Sequence, residues 1–336
     1  MFCGIDTHKR TLAACIVDQV GRQRSGRSFA NTPEGHAQLA AWVRELRTER
    51  IGIEGSGSYG FVLAQTLLAA GERVVDVPAN RTARARKALS KRGKDDPADA
   101  LAIARVTAGD EPLVELKTCP VAGDLQLLDE HRQQLVRERV RLLNRVHSDF
   151  VILRPGERIE LKSSPAALRR CIDLLTPASN VQATLARQRL ERLLVLITEI
   201  DEVNKRTSAL LDHSGTTLTT LRGIGPTLAA TIIGQTGNID RYKTCDQFAA
   251  ANGTAPIPAS SGQTQRHRLN RFGNRRLNYA IHQMAIVQLR YDPRAQAYID
   301  KHIKLGKSRK EAIRCLKRRL SDVVWRQMRQ DHLTTT

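Results

Sequence analysis

Two short apolar runs near the start of the chain each end in an acid, and this pattern narrows the fold more than any other feature. Gly4-Ile5-Asp6 and Ile51-Gly52-Ile53-Glu54 read as strands that finish on a carboxylate. A third acidic point follows in Lys94-Asp95-Asp96-Pro97-Ala98-Asp99-Ala100, where two more carboxylates open an apolar helix. Two strand ends and a helix start can converge on one point. Convergent carboxylates suit a hard, oxygen-preferring cation such as Mg²⁺, or Mn²⁺ in its place. On a helix, Asp96 and Asp99 share a face through i,i+3 spacing, and Asp95 and Asp99 do so through i,i+4. Asp96 can also act as the N-cap ahead of Pro97. Asp6, Glu54, Asp96 and Asp99 are therefore the candidate metal ligands. Two metals about 3.5–4 Å apart can activate a nucleophile and stabilise the leaving oxygen of a phosphodiester.

The surrounding segments alternate. Leu12-Ala13-Ala14-Cys15-Ile16-Val17 is a strand beside Gly4-Ile5-Asp6, and Thr32-Pro33-Glu34 starts a helix carrying Leu39, Trp42, Val43 and Leu46. Phe61 to Leu68 is a helix stopped at Gly71, and Val74-Val75-Asp76-Val77 is another strand. Such alternation predicts an α/β domain over residues 1–120. Residues 78–95 break the pattern. There Arg81, Arg84, Arg86, Lys87, Lys91, Arg92 and Lys94 put seven basic residues in fourteen positions, either a solvated loop or a phosphate-contacting segment ahead of Asp96.

Charge selects the partner class. The 336 residues carry 54 Lys/Arg against 34 Asp/Glu, a net +20, which favours polyanions and nucleic acid above all. From Gly262 to Arg329 there are 18 Lys/Arg against 4 Asp/Glu, so most of the excess lies in one stretch. Aromatics are only 4%, which argues against recognition of single strands by extended base stacking. Six scattered cysteines without C-x-x-C spacing read as buried reduced thiols. No signal peptide or membrane span is evident, so the expected setting is the cytoplasm, without a membrane partner.

Residues 121–214 read as helical. Leu128, Leu135 and Leu142 recur every seven residues, as do Leu190, Ile197, Asn204 and Leu211, with Leu193 and Ile200 on companion positions. This heptad seam predicts two long helices that pack as a hairpin or between protomers. The basic region, 215–336, holds Gly223-Ile224-Gly225 ahead of an apolar helix, a turn whose backbone N–H groups suit a phosphate. It also holds Ser260-Ser261-Gly262 followed by Arg266, Arg268, Arg271, Asn274, Arg275 and Arg276. From spacing alone, a serine before glycine is a turn residue.

At these residues the chain resembles a known family. Gly4-Ile5-Asp6-x-x-Lys9, Ile53-Glu54-x-Ser56-Gly57-x-Tyr59, Lys94-x-Asp96-x-x-Asp99-Ala100, Gly223-Ile224-Gly225, Phe248-Ala249-x-x-x-Gly253-x-x-Pro256, Ser261-Gly262 and Gly273-Asn274-x-x-Leu277 occur in that order. They are similar to the motifs of the DEDD transposases of bacterial insertion sequences, recombinases guided by a bridge RNA. The resemblance spans nearly the whole chain. It implies an RNase H-like (RuvC-like) domain, a helical coiled-coil insertion and a mainly α-helical C-terminal transposase domain. Asp6, Glu54, Asp96 and Asp99 would be the Mg²⁺ ligands, and Ser261 the nucleophile that forms a phosphoserine intermediate. Lys9 and the basic residues named above would contact nucleic acid. The implied partners are donor and target DNA, a structured guide RNA, and further copies of the chain in a dimer or tetramer with composite sites. Three departures stand out: Asp95 replaces the usual threonine before Asp96, Ser260 directly precedes Ser261, and Pro258 lies where more polar or basic residues are expected. Two competing readings are a RuvC-like junction endonuclease that uses water, and a non-catalytic architectural nucleic-acid-binding protein.

Overall fold

The computed structural model describes residues 1–56, 58–88, 96–109, 113–117, 120–157, 164–177, 180–258, 267–268, 270 and 273–335. The chain divides into two compact units, Met1–Cys119 and Pro120–Thr336.

The first unit runs β1 (Phe2–Thr7), β2 (Thr11–Val17), β3 (Gln23–Ala30), α1 (Pro33–Glu45), β4 (Arg50–Ile53), α2 (Phe61–Ala69), β5 (Val74–Asp76), α3 (Ala79–Ala88), α4 (Asp96–Ala108) and β6 (Val114–Glu115). Its sheet has the order β3-β2-β1-β4-β5-β6. Strands β1 to β3 are antiparallel, β4 and β5 continue parallel to β1, and β6 closes the edge antiparallel. This mixed sheet, covered on both faces, agrees with the α/β domain expected from the alternating segments. Period-two alternation divides the faces. Cys3, Ile5, Leu12, Ala14 and Ile16 pack with Leu39, Val43, Leu63 and Leu67 of α1 and α2. Ala13, Cys15 and Val17 point the other way, onto Ala100 and Ala104 of α4.

Helix α4 lies unusually close to the sheet because two glycines let it. Gly4 and Gly52 are direct neighbours across the parallel β1/β4 pair. A Cβ on Gly4 would fall on the backbone nitrogen of Ala104, and one on Gly52 would fall on the Thr107 hydroxyl. The helix answers with small side chains: Ala100, Ala102 and Ala104 are fully or almost fully buried.

Two features differ from the sequence reading. Strand β3 was not anticipated, because Gln23-Arg24-Ser25-Gly26-Arg27-Ser28 exposes most of its residues at the sheet edge and shows no apolar alternation. Residues 79–88, within the charged break, form α3.

The second unit is α5 (Pro120–Leu153), α6 (Pro165–Leu175), α7 (Val181–His213), α8 (Pro226–Thr236), α9 (Cys245–Ala251), β7 (Ile257–Pro258), β8 (His267–Arg268), α10 (Arg275–Tyr291), α11 (Pro293–Lys304) and α12 (Arg309–Thr335). The regions separated at residue 214 by composition therefore fall within one unit. Helices α5 and α7 pack along Leu135, Leu196, Ile200 and Val203. Further along, Val146 and Phe150 of α5 join Leu168 and Leu175 of α6 and Leu190 and Leu193 of α7. Asn204, in the middle of the apolar pattern, accepts from Arg132 Nε at 2.7 Å. Helix α6 is capped by Ser164, whose side chain accepts from Ala167 N. No helix among the described residues is long and apolar enough to cross a membrane.

Replacing Gly4 with valine should force α4 off the sheet. The expected loss is about 3 kcal/mol or more in urea-induced unfolding, at the upper end of what an overpacked core costs. Ser25→Val, at a position on the edge strand β3 away from this contact, should change stability by less than about 0.5 kcal/mol.

Candidate functional site

The parallel pairing of β1 and β4 brings the first two acids together. The register ends at Ile5 opposite Ile53, the Glu54 amide donates to Ile5 O at 3.2 Å, and Thr7 Oγ1 donates to Glu54 O at 2.8 Å. Asp6 and Glu54 thus follow side by side, two residues beyond the Gly4/Gly52 pair and on the face that receives α4. The first turn of α4 supplies Asp96 and Asp99. Asp95, the alternative ligand, lies outside the described residues.

Asp6, Asp96 and His8 each offer a ligand atom within 4.8 Å of the others. His8 Nε2 lies 3.3 Å from Asp6 Oδ2 and 3.1 Å from Asp96 Oδ1. Asp6 is largely covered, with 13% of its side chain exposed, whereas Asp96 is open at 57%. Burial raises the Asp6 carboxyl above its ordinary range. His8 opposes this shift, and the negative charges of Asp99, Glu54 and Asp96 add to it. Three further carboxylates therefore act on Asp6 through space. This oxygen-rich set with one imidazole is a donor set that a hard divalent cation fits.

His8 escaped the sequence reading. A single histidine between strands carries no pattern, and only the tight β1–β2 turn folds it back over Asp6. Asn31 fixes that turn: its Nδ2 donates to His8 O at 2.8 Å and to Tyr59 O at 3.1 Å, while Oδ1 meets His36 Nε2 at 2.6 Å. One side chain thereby ties together the turns that follow β1 and β4. Asp76, at the end of β5 opposite Ile53, is a further acid near the strand ends, and the Ser56 hydroxyl donates to it.

The expected nucleic-acid contacts occupy varied places. Lys9 is exposed on the β1–β2 turn, and Arg84 is exposed on α3. Arg81 is half-buried on α3, and Arg86 and Lys87 also belong to that helix. Lys91, Arg92 and Lys94 lie outside the described residues, as do Ser260, Ser261, Arg266 and Arg271. Gly223 takes a positive φ of 91° against Met284, and Gly225 is the N-cap of α8. Arg268 lies on β8, which pairs with β7 so that Ile257 faces Arg268 and Pro258 faces His267. The segment expected to carry Ser261, residues 259–266, lies outside the described residues.

The β7–β8 hairpin rises from a rigid base. A Cβ on Gly273 would strike the backbone of Gly253, which has φ 71°, so the chain crosses itself on two glycines. The Asn274 amide donates to Ala251 O at 2.7 Å, and its side chain caps α10 by accepting from Arg276 N and Leu277 N. Arg275 is exposed at the start of α10. Arg276 turns inward instead: its guanidinium reaches Asp129 at 3.1 Å and Glu130 at 2.7 Å, with only 2% of the Asp129 side chain exposed.

Two transposase family models match the chain. DEDD_Tnp_IS110, described as a transposase, matches residues 3–154, and the model of the IS116/IS110/IS902 transposase family matches residues 215–300. The 44.8 kDa protein of insertion element IS116 from Streptomyces clavuligerus is 27% identical over 100% of this chain and 96% of its own. The pilin gene-inverting protein of Moraxella bovis is 24% identical over 98% of this chain and 96% of its own. A RuvC structure from Thermus thermophilus aligns at 18% identity and a TM-score of 0.26, covering 34% of this chain and 98% of that one.

Two outcomes follow from this geometry. Without metal, the folded state holds a proton on Asp6 more tightly than the unfolded chain does. Stability therefore falls as pH rises through the carboxylate range. Asp6→Asn should remove that loss, raising the Tm of the chelator-treated protein at pH 7, and should abolish the further rise that Mg²⁺ gives the wild type. Arg276→Ala should leave the buried Asp129 without its cationic partner, with Gln133 still donating to it, and lower stability in urea by about 3 kcal/mol.

Proposed function

The chain belongs to the IS116/IS110/IS902 transposase family, a family of DNA-processing enzymes, and from that premise we propose that it is an RNA-guided, site-specific DNA recombinase of an insertion sequence that works through a serine nucleophile. The observation that carries the reading is the grouping of Asp6, Asp96 and His8 within ligand distance of one another, at a strand end where the charges of Glu54 and Asp99 also act on Asp6, in a chain of net charge +20.

Asp6, Glu54, Asp96 and Asp99 would hold Mg²⁺, with His8 beside Asp6 and Asp96. When bound, the ion supplies Lewis-acid stabilisation of the charge that builds on a scissile phosphate. The Ser261 Oγ bonds to phosphorus as one DNA P–O bond breaks, and the released oxygen takes a proton. A hydroxyl of the second strand then reverses this step, restoring a phosphodiester and freeing the serine. The energy of the broken bond is kept in the phosphoserine, so rejoining needs no nucleotide cofactor. The name of the Moraxella relative describes gene inversion, and carried to this chain it favours cutting with rejoining over cutting alone.

The charge distribution suits a protein whose sequence information comes from a guide RNA. Base pairing would read the DNA, and the protein would need mainly backbone contacts, for which Lys9, Arg84, Arg268 and Arg275 are candidates. Several copies of the chain would act on the paired DNA ends.

Covalent trapping tests the reading. Protein with Mg²⁺, RNA transcribed from the flanks of its gene and labelled junction DNA should give a protein–DNA adduct on a denaturing gel. Ser261→Ala should lose the adduct, and Asp99→Asn should lower its yield by at least about 100-fold, the scale of a removed electrostatic catalyst. Cleavage that persists without an adduct in Ser261→Ala would make the protein a water-using nuclease.

A further inference from the structure

Lys317, on α12, is a buried base. Only 9% of the residue is exposed. Its ammonium donates to Asn278 Oδ1 at 2.6 Å, and no carboxylate pairs with it among the described residues. The nearest acid on its own helix, Asp322, is engaged by Arg318. The charged groups that act on Lys317 are of its own sign: Arg275 depresses it, and Lys317 in turn depresses His282. Burial first, and Arg275 second, push Lys317 down to about 8. Lysines are rarely buried unless paired, because the interior leaves their charge uncompensated.

The sequence around it shows the same bias. From Gln247 to Tyr291 there is no Asp or Glu, while Arg266, Arg268, Arg271, Arg275, Arg276 and Arg290 fall within that stretch. Among these, Arg276 is neutralised from α5. Arg275 is exposed in the first turn of α10, a 17-residue helix whose N-terminal dipole also attracts anions.

Lys317 is also wired to the hairpin base. Asn278, which accepts from it, donates through Nδ2 to Asn252 O at 2.9 Å. Asn252 is fully buried, and its own Nδ2 donates to Ser321 Oγ, one turn along α12 from Lys317, at 2.8 Å. Asn252 directly precedes the Gly253/Gly273 crossing. The ammonium is thus two hydrogen bonds from the point where the hairpin leaves and rejoins the helices.

We propose that Lys317 and Arg275, at the N-terminal end of α10, bind one backbone phosphate of DNA and hold it at the base of the β7–β8 hairpin. The incoming phosphodiester supplies the counter-charge that the fold withholds, and Asn278 orients the ammonium toward it. The proposal rests on the reading of the protein as a DNA recombinase. It adds Lys317, which no motif announced, to the expected contact Arg275.

The test measures binding of the full chain to a 30-base-pair DNA duplex in EDTA, so that it does not depend on cleavage or on the carboxylate set. The slope of log Kd against log salt reports the phosphates neutralised, about 0.9 for each one. Lys317→Met should reduce the slope by about one such step without lowering Tm, since it removes an unpaired buried charge. Asn278→Asp keeps the lysine but gives it a carboxylate, and should reduce the slope by a similar step. This second variant carries the test if the first does not fold. Slopes equal to wild type in both variants would overturn the proposal and leave the recombinase reading intact. A reduction seen with an RNA duplex and not with DNA would also overturn it. Wild-type protein that binds no DNA at all would bring down both.

Discussion

The close approach of α4 to the sheet is the contact on which the first unit depends. Gly4 and Gly52 sit side by side across β1 and β4, and the backbone of Ala104 occupies the place where the Gly4 side chain would be. Two residues further along the same strand face come Asp6 and Glu54, and the helix that lies on the glycines begins with Asp96 and Asp99. Removing side chains at one level of the sheet therefore sets how closely charges gather at the next. Burial first, and the charges of Asp99, Glu54 and Asp96 after it, hold the Asp6 carboxyl above its ordinary range, with His8 opposing them. The buried apolar contacts of Ala100 and Ala104 hold the like charges in place.

Much of this was legible in the sequence, for identifiable reasons. Asp6 and Glu54 end apolar runs too short to be anything but strands, and Asp96 and Asp99 open an alanine-rich helix. A pattern of that kind survives folding because each acid is local to its own element. What the sequence hid depends on tertiary geometry. His8 acquires meaning only when the β1–β2 turn brings it over Asp6, and Asn31 only when its two carbonyl partners meet. Strand β3 was hidden because a solvated edge strand need not alternate. Arg276 read as one more basic residue of a basic stretch, since the carboxylates that claim it are nearly 150 positions away on α5.

The two units handle charge in opposite ways. The first concentrates acid at one point and dilutes it with a single imidazole. The second spreads arginine and lysine over helices and pairs some of them internally, as with Arg276 on Asp129, Arg189 on Asp149 and Arg192 on Glu138. Those pairs tie α10 and α7 to α5. Composition alone cannot separate such structural arginines from those left facing solvent. The count of basic residues from Gly262 onward therefore overstates the surface open to a polyanion.

The glycine crossing at Gly253 and Gly273 also bears on how such a protein can change. Because Asn274 is anchored to Ala251 and Asn252 to Ser321, the frame that closes the hairpin is complete without the residues at its tip. Closing a longer loop on a fixed frame adds only about 0.6 kcal/mol for each doubling of its length. The segment around Ser261 can therefore change in length while α9, α10 and α12 keep their packing. The crossing acts as a cassette boundary: changes beyond it that keep Ser261 carry little risk to the helices beneath.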